Sequence, residues 1–569
     1  MASTLFAVIA ISLLVSWVVS MTITPLQCID LLKADQSSGD ADPYAGRFFR
    51  AYRRFLEGAL AARWLVVTVM IVLLFAAVAG FGQVRQLFFP DSSMAKFMVD
   101  YWAPEGTRIQ TVSTDLRAAE DWLLADERVE GVATFVGSGP PRFYLPVDPE
   151  LPNPSYGQLI VNVRDARDIN GLLAEFDPWL RQTYPDALPV VRKYGVGPSN
   201  TWKLEARLIG PADIAPDALR QVAKGIAGEI EREPLAAYVR TDWRQRVQKV
   251  VPEFNQERGR WAAVTREDLA NATKRAFDGR AIGVYRENDD LIPIVTRHVE
   301  EERQNVAAID VLQIQPAGST LSVPVAEVVD KIGTGWEDPL IWRRDRRRTI
   351  TMQSNPILGV APPELQAAVA PDVESLPLPP GFTLEWGGDD ESSNDANGSL
   401  VPGMIPAVAV MLLTVVALFN AFRPPLIVFL MVPFALIGIT GGLLGFDVPF
   451  GFMALLGAMS LAGQMIRNAI VLVDQIGIDR ASGLDTYEAV VQSAMSRLRP
   501  VMLSAGTAAL GVIPLLQDVF WVGMAVTMMG GLAIGTLLIM ILVPVLYAIL
   551  YRAHPLEQDR DQPAVEVAA

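Results

Sequence analysis

The chain is poor in the residues that build metal and disulfide sites. One cysteine, Cys28, in 569 residues excludes an internal disulfide and a cysteine-built metal centre. Two histidines, His298 and His554, argue against a His-based zinc site. No G-x-x-x-x-G-K-[ST] run occurs, so nothing points to nucleotide hydrolysis by this chain. A net charge of −15 argues against a nucleic-acid partner. What is present is apolar residue in quantity: 51% hydrophobic against 20% charged, with a mean hydropathy of +0.28. That is too apolar for an ordinary soluble protein and too charged for a chain in lipid throughout. Several membrane spans with a large water-exposed part satisfy both facts.

The first apolar run, Leu5 to Thr24, has no Lys or Arg before Lys33, so the basic start of a signal peptide is missing. Lys33, Arg47, Arg50, Arg53, Arg54 and Arg63 follow it and hold that side in the cytoplasm. A chain that starts outside without a leader is expected to be a protein cut in mid-membrane. Gly46 to Ala62 places Phe48, Tyr52, Phe55 and Ala59 on one side and most arginines on the other, the pattern of a basic interfacial helix. A soluble amphipathic linker helix is the alternative. A second span is expected at about Trp64–Phe81. Five more are expected at Val401–Phe422, Leu426–Phe446, Phe452–Ile476, Val501–Leu516 and Val519–Leu550, with Arg423, Arg480, Arg497, Arg499 and Arg552 all on the cytoplasmic side.

Between the second and third spans the pattern changes from long apolar runs to alternating short elements. Strands at Lys96–Trp102, Val129–Val136, Tyr156–Val163 and Pro189–Tyr194, with helices at Ile109–Ala125 and Ile169–Thr183, follow the β-α-β-β-α-β order of a ferredoxin-like unit. A second β-α-β half runs through Trp202–Ile209, Pro216–Glu231 and Ala236–Thr241. Its complement returns only at Thr349–Ser354, Pro363 and Phe382–Trp386. The interruption, about Gln245–Pro339, carries a capping-box pattern, Thr265-x-x-Asp268, and a hairpin around Asp289-Asp290.

One stretch demands compensation from elsewhere. In the span Phe452–Ile476, Ser460, Gln464, Arg467 and Asn468 fall on one helical face. An arginine near mid-bilayer costs about 2.5–3.5 kcal/mol on insertion scales. Asp474 lies seven residues on, about 10.5 Å of rise away, and no other span carries a mid-membrane carboxylate. Arg467 is therefore expected to face a watery cavity or acids on another polypeptide. A snorkelling arginine nearer the interface is the alternative.

Thr22-Ile-Thr-Pro25-Leu-Gln-Cys28, Arg344-Asp-Arg-Arg-Arg-Thr-Ile350, Glu385-Trp-Gly-Gly388 with Glu391-Ser392, Phe452-Met-Ala-Leu-Leu-Gly457, Asn468-Ala-Ile-Val-Leu-Val-Asp474 and Arg497-Leu-Arg-Pro500 come in one order. In it the chain resembles the C-terminal half of a resistance-nodulation-division efflux pump, of the hydrophobe/amphiphile, acriflavine-resistance type. The resemblance implies a multi-span α-helical membrane protein of the bacterial inner membrane. Its periplasmic region would be α+β, with ferredoxin-like porter subdomains and an inserted docking subdomain. The expected division is 1–82, two spans and a cytoplasmic linker; 83–244, one porter subdomain and half of a second; 245–339, docking; 340–399, the rest of the second porter; 400–552, five spans; and 553–569, a disordered tail. It implies proton-driven export of hydrophobic or amphiphilic compounds by a secondary transporter, not an enzyme, with the proton gradient as energy source and no cofactor.

The implied partners are an N-terminal half carrying the membrane aspartates, two further copies in a homotrimer, a periplasmic adaptor, an outer-membrane channel and membrane lipid. By the same resemblance Arg467, Asn468, Arg497, Ser504 and Thr507 form the proton relay. Arg467 stands where most relatives carry lysine, and a guanidinium cannot give up its proton. For Ser504 and Thr507, packing by small residues is the alternative. The loop Thr134–Tyr144 resembles the family's loop beside the drug pocket, with Phe135, Arg142, Phe143 and Tyr144 on the substrate path; an ordinary loop with Phe135 in the core is the alternative. Methionines are scattered here, among them Met94, Met98 and Met352, which disfavours a copper or silver exporter. Two rival readings are an export accessory of this fold for proteins or lipids, and an inactive truncated remnant.

Overall fold

A computed structural model describes residues 2–31, 44, 46–197, 201–303, 309–316 and 319–553. The tail expected to be disordered falls, from residue 554 on, outside the described residues. Long apolar stretches form α1 (Ala2–Leu31) and α3 (Arg63–Phe81), with the basic amphipathic α2 (Arg47–Ala61) between them. The extramembrane region then opens with β1 (Lys96–Trp102), α4 (Ile109–Leu124), β2 (Val129–Val136), β3 (Tyr156–Val163), α5 (Ile169–Thr183) and β4 (Leu188–Lys193). The sheet order is β2-β3-β1-β4, all antiparallel. Period-2 alternation turns Phe97, Val99 and Tyr101 of β1 toward Val112, Leu116 and Leu123 of α4 and Phe176 and Leu180 of α5. Met98, Asp100 and Trp102 point the other way, yet they too are buried.

The second unit begins with β5 (Leu204–Ile209), α6 (Pro216–Arg232) and β6 (Ala236–Thr241). The chain then leaves for an inserted segment. It holds β7 (Val247–Phe254), α7 (Gln256–Trp261), α8 (Arg266–Phe277), β8 (Arg280–Glu287), β9 (Asp290–Thr296), α9 (Glu300–Arg303), β10 (Gln313–Ile314), β11 (Val323–Pro324), α10 (Val325–Val328) and β12 (Val329–Glu337). Thr265 closes the expected capping box with Asp268, and β8 pairs with β9 across Asn288-Asp289. β12 returns antiparallel along β7. That pairing brings the chain back to the second sheet through β13 (Arg343–Arg344), β14 (Arg347–Pro356), α11 (Pro362–Glu374) and β15 (Thr383–Gly388). There β14 pairs with β5 and β6, and β15 with β5, so residues more than a hundred positions apart complete one sheet. Its core gathers Leu204, Ala206 and Leu208 against Leu219, Ala223 and Ile226 of α6 and Leu365 and Val369 of α11.

The remaining chain is helical: α12 (Asp389–Phe419), α13 (Arg423–Leu430), α14 (Ala435–Gly445), α15 (Phe452–Ala481), α16 (Thr486–Val512) and α17 (Val522–Leu550). Among the described residues seven segments are long and apolar enough to cross a membrane. Three expectations about boundaries need correction. Residues 340–399 and 400–552 are not separable at Ser399, because α12 runs unbroken from Asp389. Gly388, at φ 72, makes the sharp turn out of β15, and Asp389, Asp390 and Glu391 favour the positive end of the new helix. The span expected at Leu426–Phe446 is found as one apolar segment, Arg423–Gly445, but it is broken into two helices by the 3-10 turn Val432–Phe434, in which Pro433 lies. The span expected from Val501 starts at Thr486, capped by Asp485, whose side chain accepts from Tyr487 N–H.

The helical core centres on α17, against which α14, α15 and α16 pack. Gly438 and Gly442 of α14 face Gly530 and Gly531 of α17 so closely that a Cβ on Gly438 would stand 2.5 Å from the Gly530 carbonyl oxygen. By contrast α3, α12 and the described part of α1 leave most of their apolar side chains exposed, and α16 does so only in its last turns, at Met502, Leu503 and Leu510.

Candidate functional site

Arg467 sits on the open side of α15. Ser460, Gly463, Arg467, Asp474 and Ile478 are exposed along one stripe, while Leu461, Met465, Asn468 and Leu472 face the helical core. The expectation that Asn468 shares the Arg467 face is thereby corrected. At 4% exposure Asn468 belongs to the packed side, because the 100° step between neighbouring residues carries it past the edge of the stripe. Gln464 lies between the two faces, with its Oε1 buried and unbonded. Arg467 Nη2 donates to Ser504 Oγ of α16 at 2.8 Å, and Thr507 Oγ1 donates to the Ser504 carbonyl at 3.0 Å. Among the described residues no carboxylate pairs with Arg467. Ser504 engages one of its five donors among the described residues, and the side chain is exposed.

Arg497 does not join this group. Seven residues before Ser504, it is about 10.5 Å of helix rise away, and its Nη2 donates to Gln475 Oε1. Gln475 Nε2 donates to Asp479 Oδ1 at 2.7 Å, and Ser493 Oγ donates to Asp479 Oδ2 at 2.5 Å. This second group ties α15 to α16 near the end of the bundle, a bracing contact rather than a link to Arg467.

The loop expected on the substrate path is packed down. Phe135 is half-buried in β2 opposite Gln158. Arg142 folds back on its own loop, donating to the Leu145 carbonyl and pairing with Asp148 at 3.2 Å. Tyr144 OH donates to the Gly195 carbonyl at 2.9 Å, its ring edge-on to Tyr194. Phe143 stands out, 58% exposed, and Arg142 is exposed beside it. Arg142, Phe143 and Tyr144 border one small space of about 20 Å³ beneath the loop, and Phe135 is not part of its lining. Below it Asp100, 1% exposed, accepts from Tyr156 OH (2.7 Å), Gln158 Nε2 (2.7 Å) and Arg192 Nε (2.8 Å). Burial works to raise the Asp100 carboxyl, but Arg192 and the other donors hold it below the usual range.

The roomier site is the cleft between the two sheet units, which the residue pattern did not announce. Arg240 of β6 lies 4.3 Å from the Trp202 ring and 5.2 Å from that of Trp102, while Arg244 stacks 3.6 Å over Trp102. Arg244 Nη1 pairs with Glu105 at 2.5 Å, and Arg240 Nε donates to Gln353 Oε1 at 3.1 Å. On one side of these arginines is a cavity of about 360 Å³ reaching Glu150, Asp242 and Trp342; on the other is one of about 700 Å³ reaching Arg220 and Lys224. Burial pulls the Arg240 guanidinium down to about 10, with Glu150 opposing. Burial also pushes Asp242 up to about 6, and Glu150 above the carboxylate range with help from Asp100. Aromatic faces beside charges of both signs suit amphiphilic or zwitterionic ligands. The one sequence signal was a tryptophan beside the first strand of each unit, Trp102 and Trp202.

A profile of the AcrB/AcrD/AcrF family matches residues 1–167 and 189–551. Among solved structures, two crystal forms of a heavy metal efflux pump superpose on the chain. One has a TM-score of 0.74 at 19% identity, covering 89% of this chain and 51% of that one. The other has a TM-score of 0.72 at 20% identity, covering 88% and 52%. The chain thus spans about half the length of these structures.

Proposed function

The chain belongs to the AcrB/AcrD/AcrF family, and from that premise we propose that it is the C-terminal half of a proton-driven efflux permease for hydrophobic or amphiphilic compounds. Residues 83–399 would be periplasmic, with two porter units and an inserted docking segment. The remaining helices would lie in the inner membrane of a trimer that meets an adaptor and an outer channel. The observation that carries the reading is Arg467: a guanidinium on the open face of a membrane helix, steadied by Ser504 and aimed where a second set of helices would pack. Two carboxylates brought there would be gripped by its fork when ionised and released when they take up protons. The substrate would pass the cleft, with its apolar part on Trp102 and Trp202 and its charge on Arg240 or Glu150. Met98 and Met352 support the organic over the metallic cargo, since each is buried in a different sheet unit and thioether ligands must converge.

The test is co-expression with a polypeptide that supplies the preceding spans and their carboxylates, in a pump-deficient cell. Both chains together should export an amphiphilic dye, and this chain alone should not. Arg467→Met should cut drug-dependent proton flux by roughly tenfold or more, since losing a nearby opposite charge raises a carboxylate pKa by roughly 1–3. Arg467→Lys should keep part of it. Restored copper or silver tolerance without dye export would reassign the cargo, and dye export by this chain alone would sink the two-chain coupling.

A further inference from the structure

We propose that the arginine face of α2 is a binding site for the headgroups of anionic phospholipids. It requires only that α3 crosses a bilayer, not that the chain exports anything. The helix has three distinct flanks. Tyr52, Leu56, Ala59 and Leu60 pack into the helical core with α16 and α17. Arg53 and Glu57 form a second flank, paired with each other at 2.8 Å and reaching Glu488 at 3.5 Å. The third flank carries Arg47, Arg50 and Arg54, spaced i, i+3, i+7 and all exposed. Among the described residues these three make no ion pair, and the acids of the helix and its neighbour are already taken by Arg53.

The helix cannot roll to bury that flank elsewhere. Pro544 of α17 has no N–H, so the Met540 carbonyl four residues earlier lacks its helical donor. Tyr52 OH supplies it, donating to Met540 O at 2.8 Å. A bond to an otherwise orphaned carbonyl fixes the rotation of α2, and with it the direction of the arginines. Beside them Phe48 and Phe55, 66% and 56% exposed, share a further edge of the helix. Trp64 and Leu65 at the head of α3, which begins two residues after α2 ends, are exposed as well. Exposed apolar residues therefore run along the chain from α2 into the span, beside three guanidiniums. Aromatics in the acyl boundary with arginines at phosphate level is the arrangement of an interfacial helix, and the three charges complement anionic headgroups. The lipid is favoured over an acidic protein because these exposed apolar residues run on into the span, which a soluble partner would have no cause to match.

The experiment is native mass spectrometry of the purified full chain, titrated with dioleoylphosphatidylglycerol or dioleoylphosphatidylcholine. Phosphatidylglycerol should bind on the order of ten- to a hundredfold tighter, with the preference falling as salt rises. The triple variant Arg47→Gln, Arg50→Gln, Arg54→Gln should lose that preference while melting at the parent temperature, because among the described residues none of the three side chains makes a hydrogen bond or ion pair. Arg499→Gln with Arg552→Gln, exposed arginines on other segments, should retain it. An undiminished preference in the triple variant overturns the proposal. So does competition by soluble polyglutamate at equal charge concentration, which would assign the face to an acidic polypeptide, or by inorganic phosphate, which would make it a free-anion site.

Discussion

Arg467 and Asp242 are both charges in costly places, and they differ in what their surroundings allow. Arg467 is exposed on its helix and its environment must come to it: Ser504 engages one donor. Asp242 escapes its cost by protonation. Burial pushes its carboxyl up to about 6 although it accepts the Thr351 N–H at 2.9 Å. The unfolded carboxyl titrates near 3.9, so between about pH 4 and 6 the folded chain binds more protons and stability falls as pH rises. Below that window both states are protonated and the penalty vanishes; above it the penalty is full, roughly 1–3 kcal/mol. Asp242→Asn retains an acceptor for Thr351 and removes the titration. The variant should match the parent at about pH 4 and be more stable by that amount at pH 7, in thermal unfolding of the purified chain across the range. A constant difference at all pH values would show that Asp242 is not the group responsible.

At the scale of elements, α17 carries the bundle, and its crossing with α14 depends on residues without side chains. A Cβ on Gly438 would lie 2.5 Å from Gly530 O and 2.7 Å from Gly531 Cα, whereas one on Gly441 meets Ile534 at an ordinary 3.8 Å. Gly438→Ala should therefore force the helices apart and cost about 1–3 kcal/mol. Gly441→Ala should be neutral or gain up to about 1 kcal/mol from helix propensity. Opposite shifts in melting temperature in detergent check this, and equal ones contradict it. Such crossings are invisible in a sequence, where Gly438 and Gly441 look alike. Elements with a strong local period were legible: β1, β2, β3 and β6 run at the boundaries that alternation predicts, and Thr265 announces α8 by its cap. The start of α12 was not, because Asp389 to Gly398 is as polar as a loop until a turn at Gly388 sets it in line with the apolar run. Nor was the cleft. Arg240 and Trp102 come from separate strands and Trp202 from the segment before a third, and only the meeting of the two sheet units brings them together.

For the whole molecule, exposed surface is the informative feature. The extramembrane units bury their own cores, whereas α3, α12, the described part of α1 and the last turns of α16 leave apolar faces uncovered, as befits helices that meet lipid or further helices. Charge then orients the whole. Arg63, Arg423, Arg480 and Arg552 gather at one set of helix ends, where Arg63 donates to Ala553 O and Arg423 and Arg480 approach Tyr551; α2 with Arg47, Arg50 and Arg54 leads directly into Arg63. The two sheet units hang from the opposite ends, entered from α3 and left through α12. Short arginine-rich loops stay in the cytoplasm, so residues 83–399 should be outside and the turn after Ala481 inside. Cys28 is the sole cysteine, and Cys28→Ser gives a blank background. On it, Asp289→Cys at the tip of the β8–β9 hairpin and Ser482→Cys after α15 each place one exposed thiol. A membrane-impermeant maleimide applied to spheroplasts should label the first at once and the second only after lysis. Labelling of both in sealed spheroplasts, or of Ser482→Cys alone, would invert or abolish this topology. It would also take the cleft at Arg240 away from the compartment from which a periplasmic substrate could enter it.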